Sequence, residues 1–216
     1  MREINKTGVF ENKGRLYTID RFKFSFFDEP VRVINKTRYR RLSPERSKLG
    51  AALKKGLSQT GIKEGSKVLY LGASHGYTPS YVSDIVGKGG VVFCVDIAPS
   101  VVRDLVYVCE QRSNMIPFLE DANKPENYSV VKEVDVVYQD IAQKDQVGIF
   151  MKNVDMFLSS KGFGLLALKA RSYDVSRKPH VIYKEVKDLL EKKYKIVDQR
   201  TLDPFEKDHA FYVIKK

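Results

Sequence analysis

The stretch Lys67-Val-Leu-Tyr-Leu-Gly-Ala-Ser-His-Gly-Tyr-Thr78 decides the fold of this chain. An apolar strand runs into a turn that contains two glycines, and an amphipathic helix is predicted to follow from about Thr78 to Val86. Gly72 lets the chain turn sharply off the strand, and Gly76 lets a ligand approach the backbone closely. This pattern is typical of an open α/β sheet that binds a nucleotide at the carboxyl end of a strand.

An acidic residue ends the next apolar run, Gly90-Val-Val-Phe-Cys-Val-Asp96. A carboxylate at this position can bind ribose hydroxyls, and its spacing from Gly72 suits one βαβ unit. A glycine-bearing turn alone can also serve only to close a βα connection. The turn has neither the Gly-x-Gly-x-x-Gly pattern nor a Walker Gly-Lys-Ser/Thr pattern, which disfavours NAD and ATP. An adenosyl ligand of another kind is therefore expected.

Composition restricts the class of protein further. The length of 216 residues suits one domain of ordinary size, or one domain with a small extension. The 38 basic and 27 acidic residues give a net charge of +11, which favours polyanionic partners, although a merely soluble basic surface explains the same balance. Cys94 and Cys109 lack metal-site spacing, so core thiols in a reducing compartment are expected. No apolar stretch is long enough to span a membrane, and a soluble, cytoplasmic protein is predicted.

From Gly65 onward, predicted strands and helices alternate, which favours an α/β fold with a mostly parallel sheet. The last two predicted strands, residues 195–198 and 210–214, are joined by an irregular loop. This connection predicts an antiparallel strand at the edge of the sheet. Seven strands with such an ending resemble the Rossmann-like fold of class I methyltransferases.

The first 55 residues have a different pattern of predicted secondary structure. Short strands are predicted at residues 8–11, 15–20 and 23–27, followed by a helix from Pro44 to about Leu57. We therefore predict a small antiparallel N-terminal β module with a linking helix over residues 1–55. The resemblance to class I methyltransferases implies that residues 56–216 form an S-adenosylmethionine-dependent methyltransferase domain.

Polar residues follow the predicted strands at Asp96, Asp121 and Asp140. The carboxyl ends of parallel strands share one edge of the sheet, so these side chains are expected to converge. Asp121 could accept a hydrogen bond from an adenine amino group beside Ala122, or it could cap a helix. Asp140 could likewise cap a turn, but its place in the series favours a functional role.

Lys169 ends an apolar strand, where a lysine either extends to solvent or lines the pocket near Asp140. The neighbouring carboxylate favours the pocket. Taken alone, neither Lys48 nor His209 indicates a function. Lys48 is typical of a charge on a helix surface, and His209 is typical of a structural or solvated histidine. The three histidines have no metal-like spacing, and no metal is expected.

With these residues assembled, the chain resembles fibrillarin of the archaeal type, the RNA 2′-O-methyltransferase of C/D-box ribonucleoproteins. The resemblance covers Pro44 to Lys215. It rests on an ordered series of motifs that includes Arg46-Ser-Lys-Leu-Gly-Ala-Ala, Tyr81-Val-Ser-Asp-Ile-Val-Gly87, Ile116-Pro-Phe-Leu-Glu-Asp-Ala122, Asp140-Ile-Ala-Gln143, Lys169-Ala-Arg-Ser172 and Leu202-Asp-Pro-Phe-Glu-Lys-Asp-His-Ala210.

The resemblance implies S-adenosylmethionine as the cofactor and a catalytic tetrad of Lys48, Asp140, Lys169 and His209, in which Asp140 orients Lys169. The implied cofactor-binding positions are Gly72, Ala73, Gly76, Tyr77, Thr78, Asp96, Ile97, Asp121, Ala122, Asp140 and Gln143. It also implies a C/D-box guide RNA, target rRNA and possibly tRNA, a Nop-domain scaffold protein, and a kink-turn-binding subunit that resembles a ribosomal protein. No RNA-recognition motif is present in the chain itself, so target choice is expected to come from these partners.

Four residues depart from the family pattern, and these are Ser74, His75, Tyr77 and Asp96. The turn usually reads Ala-Ser-Gly-Thr-Thr after Gly-Ala, whereas His75 and Tyr77 are bulkier here, and Asp96 replaces a more usual Glu. Two alternatives stay open at this point. The first is a stand-alone RNA methyltransferase, and the second is a ribonucleoprotein component that keeps the fold without catalysis.

Overall fold

The computed structural model describes all 216 residues and contains two β-sheets. The N-terminal sheet has the strand order β1-β2-β3-β5-β4 and is antiparallel throughout. Its strands are β1 (Arg2–Glu3), β2 (Val9–Asn12), β3 (Arg15–Ile19), β4 (Val31–Ile34) and β5 (Thr37–Leu42). A short helix, α1 (Lys48–Lys54), connects this sheet to the rest of the chain.

The second sheet has seven strands in the order β11-β12-β10-β9-β6-β7-β8. Its strands are β6 (Lys67–Leu71), β7 (Val91–Asp96), β8 (Met115–Leu119), β9 (Val134–Gln139), β10 (Leu158–Lys169), β11 (Lys195–Thr201) and β12 (His209–Lys215). Strands β6 to β10 are mutually parallel. The α/β fold and the seven-stranded sheet predicted from the sequence are confirmed.

Helices cover both faces of the seven-stranded sheet. They are α2 (Tyr77–Val86), α3 (Pro99–Glu110), α4 (Gln146–Phe157), α5 (Ala170–Tyr173) and α6 (Pro179–Glu191), with a 3₁₀ segment at Pro125–Val131. Successive residues of a strand point to opposite faces. Val68 and Tyr70 therefore join the core beneath α2, α3 and the N-terminal sheet, while Leu69 and Leu71 join the core beneath α4 and α6.

The prediction of an antiparallel strand at the edge of the sheet was wrong in its position. The antiparallel strand is β12, which is second from the edge. β12 pairs antiparallel with β10 on one side and with β11 on the other. Its residues are buried from His209 to Ile214, as an internal strand requires. The register sets Lys169 directly opposite His209.

A buried group of charged side chains joins the N-terminal sheet to the seven-stranded unit. Arg40 of β5 donates to Asp84 of α2 over 2.7 Å, and it also pairs with Glu29. Arg112 approaches the other oxygen of Asp84 at 2.8 Å. All four side chains are at least 95 % buried. Opposite charges and hydrogen bonds compensate the desolvation that burial imposes on each group.

The predictions made from the sequence were wrong for parts of the N-terminal region. Residues 23–27 form no strand, and Lys23 has a positive φ of 55°. Strands β4 and β5 were missed, because the arginine-rich run Thr37–Leu42 hides its alternation. The helix predicted from Pro44 to Leu57 spans only Lys48–Lys54. The division of the chain at residue 55 stays a prediction.

No helix is long and apolar enough to cross a membrane. Both cysteines are buried and free.

Candidate functional site

The glycine turn brings the ends of β6 and β9 into direct contact. Gly72 has a φ of +80°, and a Cβ atom added to it would lie 2.3 Å from the carbonyl oxygen of Asp140. The backbone N–H of Asp140 donates to the carbonyl of Leu71 over 2.9 Å. Only glycine permits this close approach, so residue 72 fixes the position of Asp140.

Gly76 has a different role from the one predicted. It precedes α2 with a φ of +88° and faces α3, where an added Cβ atom would lie 3.1 Å from Leu105. It lines neither of the two cavities at this edge of the sheet. Gly76 therefore allows close packing of the turn on α3.

The first cavity, of about 270 Å³, lies at the carboxyl ends of the parallel strands. It gathers seven of the predicted cofactor-binding residues from four strand ends, and these are Gly72, Asp96, Ile97, Asp121, Ala122, Asp140 and Gln143. Ile97 is 53 % exposed, and Ala122 is buried. The cavity has a wall of apolar side chains and a ring of carboxylate and amide oxygens, which suits a base and a ribose.

The carboxylates of this cavity also organise its loops. The two oxygens of Asp96 accept hydrogen bonds from the backbone N–H groups of Ser74, at 2.7 Å, and Ala98, at 3.0 Å. One oxygen of Asp121 accepts from the N–H of Asn123 at 2.9 Å. Each oxygen keeps a lone pair for a ligand. Asp121 therefore forms an Asx turn and not the helix cap that was the alternative to ligand binding. Its free lone pairs still allow it to bind a ligand.

A second cavity, of about 520 Å³, adjoins the first and shares Gly72, Ser74 and Asp140 with it. Ala73, Tyr77, Thr78 and Lys48 complete its inner wall. The hydroxyl of Thr78 donates to that of Ser47 over 3.2 Å, which ties the glycine turn to the residue before Lys48.

The two unusual residues of the turn make specific contacts at this cavity. Nδ1 of His75 lies 3.0 Å from a carboxylate oxygen of Asp104 on α3. The ring of Tyr77 packs edge-on against Phe27 and lies under the guanidinium of Arg46, 4.3 Å from its central carbon. Both side chains thus pack against the rim of the cavity.

Lys48 and Asp140 form an ion pair beside the second cavity. The Lys48 ammonium lies 3.3 Å from a carboxylate oxygen of Asp140, whose side chain is only 20 % exposed. Burial raises the pKa of Asp140, and the positive charges of Lys48 and Lys169, together with that of His209 when it is protonated, oppose this increase. The four predicted catalytic residues therefore share one electrostatic environment.

Lys169 and His209 reach this group from β10 and β12, although neither lines a cavity wall. Lys169 is exposed and makes no salt bridge, so the ammonium in contact with Asp140 is that of Lys48 and not the expected Lys169. His209 is 7 % exposed, and burial lowers its pKa below 6.5.

The tautomer of His209 follows from its hydrogen bond. Nδ1 lies 2.7 Å from the carbonyl oxygen of Lys207, and a carbonyl can only accept. We therefore assign the proton to Nδ1. With the ring neutral at pH 7, Nε2 is unprotonated and can accept a proton.

Gln146 is a positioning residue that the sequence did not reveal. Its side-chain amide is fully buried and bonds both backbone groups of Lys169, at 2.9 and 3.1 Å. The same amide donates to the carbonyl of Gln143 over 2.9 Å. One side chain therefore fixes the end of β10 and the loop of the first cavity. A polar residue at the start of an otherwise apolar helix was the only available signal.

No cluster of three or more His, Cys, Asp or Glu side chains could hold a metal ion. The seven-stranded sheet, the glycine turn and the cavities at the carboxyl ends of the strands define the Rossmann-like methyltransferase class.

Within this class, the sequence profile named Fibrillarin matches residues 5–216, and the chain belongs to the fibrillarin family. A fibrillarin-like rRNA/tRNA 2′-O-methyltransferase of Methanocaldococcus jannaschii is 48 % identical over 189 residues, which cover 87 % of this chain and 82 % of that protein.

Two solved structures of the family are informative about ligands and partners. Aeropyrum pernix fibrillarin with natively bound S-adenosyl-L-methionine has a TM-score of 0.85 and 40 % identity, covering 95 % of this chain and 92 % of that one. A fibrillarin in complex with Nop5p has a TM-score of 0.86 and 36 % identity, covering 97 % of both chains.

Proposed function

We propose that this chain transfers a methyl group from S-adenosylmethionine to ribose 2′-hydroxyls of rRNA and tRNA, as the catalytic subunit of a guide-RNA ribonucleoprotein. The observation that carries the proposal is the grouping of Lys48, Asp140, Lys169 and His209 beside a cavity that is lined by Asp96, Asp121 and Gln143. Relatives that share almost half of the residues are named for this activity.

The residues present fit the cofactor. Asp96, Asp121, Ala122 and Gln143 would hold the adenosine part in the first cavity, and the turn from Gly72 to Thr78 would hold the methionine part. Gly72, which lines both cavities, has no room for a Cβ beside the backbone of Asp140. When bound, S-adenosylmethionine supplies a methyl group that its sulfonium activates.

The four residues of the tetrad have separate roles in orienting and deprotonating the ribose hydroxyl. Lys48 and Asp140 hold one another in place, and Asp140 keeps a second oxygen for a hydroxyl donor. Lys169 supplies positive charge near the attacking oxygen, and Nε2 of His209 accepts the proton that this oxygen loses. Alignment can contribute about 7–11 kcal/mol and a positioned base about 10²–10⁴-fold, so positioning dominates.

Partners are expected to supply target choice. The net charge of +11 favours RNA, but the chain has no RNA-recognition motif of its own. The complex of a relative with Nop5p supports docking of this chain on a Nop-domain scaffold. The C/D-box guide RNA, the kink-turn-binding subunit and a cytoplasmic location stay predictions.

The test is methyl transfer in the assembled complex, with and without guide RNA and scaffold. We expect a 2′-O-methyl group on one target nucleotide only when both are present. A target RNA with a 2′-deoxyribose at that nucleotide is the matched control, because it lacks the acceptor oxygen. Methylation of the deoxy control would show that another atom is modified, and efficient methylation without guide RNA would favour a stand-alone enzyme.

The same assay tests the role of Lys169. Lys169→Ala should lower the methylation rate by at least about 10²-fold, because it removes the charge beside the nucleophile. Calorimetry should find the affinity for S-adenosylmethionine nearly unchanged, since Lys169 lines neither cavity. A variant that methylates at the normal rate contradicts this role. Wild-type protein that fails to bind the cofactor would instead support a non-catalytic component.

A further inference from the structure

Arg46 is a cation of the second cavity that the tetrad does not include. It lines this cavity together with Lys48 and Asp140, and it is exposed to solvent. Its guanidinium makes no salt bridge. The single hydrogen bond of this side chain runs from Nη1 to the carbonyl oxygen of Phe27, over 3.1 Å. The other N–H donors of the guanidinium therefore have no protein partner.

The guanidinium is nevertheless held in one orientation. Its central carbon lies 4.3 Å from the centre of the Tyr77 ring, and the Phe27 carbonyl fixes one edge. Tyr77 is itself wedged between Phe27 and Tyr81, with ring centres 5.2 and 5.1 Å away at steep angles. The hydroxyl of Tyr81 donates to the carbonyl of Arg41 over 2.7 Å, which anchors the stack to β5.

An oriented guanidinium with free donors fits a phosphate, because its fork matches two phosphate oxygens. Arg46 precedes Lys48 by two residues and shares a cavity with Asp140, beside which the reacting ribose must lie. The phosphates on either side of a ribose are covalently attached to it, so one of them must lie within a few ångströms of the same cavity.

We propose that Arg46 binds a phosphate adjacent to the methylated ribose of the target strand, and that Tyr77 is the positioning residue that holds the guanidinium flat. The proposal rests on RNA methylation as the proposed function. It assigns to the bulky Tyr77 a purpose in substrate alignment. The rival anion at this cavity is the carboxylate of the cofactor, and binding measurements separate the two.

The experiment pairs a protein variant with a change in the RNA. Arg46→Gln and the wild-type chain are each assembled into the complex with target RNA that carries a neutral methylphosphonate on the 5′ or the 3′ side of the target ribose. Single-turnover methylation is measured at saturating cofactor. We expect Arg46→Gln alone to slow the reaction about 10- to 100-fold, as loss of a charged hydrogen bond does. One of the two methylphosphonates should slow the wild type similarly and should have no further effect on Arg46→Gln.

Three controls isolate the contact. Lys67→Gln removes one positive charge at the opposite end of β6 and should leave the rate unchanged. Tyr77→Phe keeps the ring and should keep the effect of the methylphosphonate, whereas Tyr77→Leu should lose part of that effect. Arg46→Lys keeps the charge without the fork and should lie between wild type and Arg46→Gln.

Several outcomes would overturn the proposal. A normal rate for Arg46→Gln excludes the contact, and so does an undiminished effect of both methylphosphonates on that variant. A tenfold loss of affinity for S-adenosylmethionine, measured by calorimetry on Arg46→Gln, would assign Arg46 to the cofactor carboxylate. Failure of the wild-type complex to methylate the unmodified RNA would contradict the proposed function itself, and is thereby distinguishable.

Discussion

At the scale of single residues, the site combines two opposite pKa shifts. Burial raises the pKa of Asp140 above 3.8 and lowers that of His209 below 6.5. Both shifts disfavour the charged form, since a buried site solvates an ion poorly. The ammonium of Lys48 then keeps the carboxylate charged, while no carboxylate contacts the imidazole to keep it protonated.

The neutral state of His209 gives a pH prediction. If Nε2 accepts the proton, the rate of methyl transfer should stay constant from pH 7.5 down to below 6.5 and should then fall as the imidazole becomes protonated. The single-turnover rate measured against pH checks this expectation. His209→Gln should be slower and should lose this part of the profile, and a variant that keeps it would assign the titration to another group.

The same shift has a consequence for stability. The unfolded chain binds a proton to this histidine more readily than the folded one does. The contribution of His209 to the free energy of unfolding should therefore be fully retained above pH 6.5, should fall as the pH decreases from 6.5 towards the lowered pKa, and should be constant below it.

At the scale of elements, the turn after β6 and the end of β9 depend on each other. The positive φ of Gly72 and its contact with the Asp140 backbone leave no room for a side chain. The amide of Gln146 has a similar function between α4 and β10. Backbone contacts of this kind place the reactive side chains more tightly than side-chain packing alone.

Gly72→Ala should therefore damage both stability and cofactor binding. Left-handed backbone at a residue with a Cβ costs about 1–3 kcal/mol, and the Cβ would also push against the carbonyl of Asp140. Chemical denaturation and calorimetry with S-adenosylmethionine measure the two effects. Gly89→Ala is the matched control, since its Cβ would meet nothing within 4 Å. Equal behaviour of the two variants would contradict the explanation.

At the scale of the whole molecule, buried ion pairs hold the N-terminal sheet against the seven-stranded unit. Arg40, Glu29, Asp84 and Arg112 are buried and form ion pairs with one another. Phe27 and Arg46, which flank the segment from Glu29 to Arg40 in the sequence, line the second cavity. The junction thus carries the outer wall of the site.

Arg40→Met should destabilise the fold by about 3–5 kcal/mol, because it leaves the carboxylate of Glu29 buried without its partner and removes one of the two arginines that pair with Asp84. Guanidinium denaturation measures the change. Arg177→Met breaks an exposed pair with Glu185 and should leave the free energy of unfolding almost unchanged, because solvent screens this pair. If Arg40→Met is as stable as this control, the buried pairs contribute little to the junction.

The sequence predicted the parts of the fold that follow from local periodicity and glycine chemistry. Apolar runs at β6 and β9 and the two-glycine turn were sufficient for the parallel sheet and for the edge at which the ligand cavities lie. Strand β5 was missed because its arginines are paired with distant residues such as Asp84, and no local pattern reports such pairs. The ion pair of Lys48 with Asp140, the tautomer of His209 and the amide of Gln146 also depend on contacts across the fold.

The register that sets Lys169 opposite His209 has a consequence for synthesis on the ribosome. The walls of the adenosyl cavity come from residues 72–143, whereas the pair from β10 and β12 is translated later. Because a nascent chain emerges from its N-terminal end, the segments that hold the cofactor are released before those that complete the reactive centre. If His209 is the proton acceptor, a growing polypeptide that has not yet placed β12 between β10 and β11 lacks this group, and methyl transfer then begins only after the insertion of that strand.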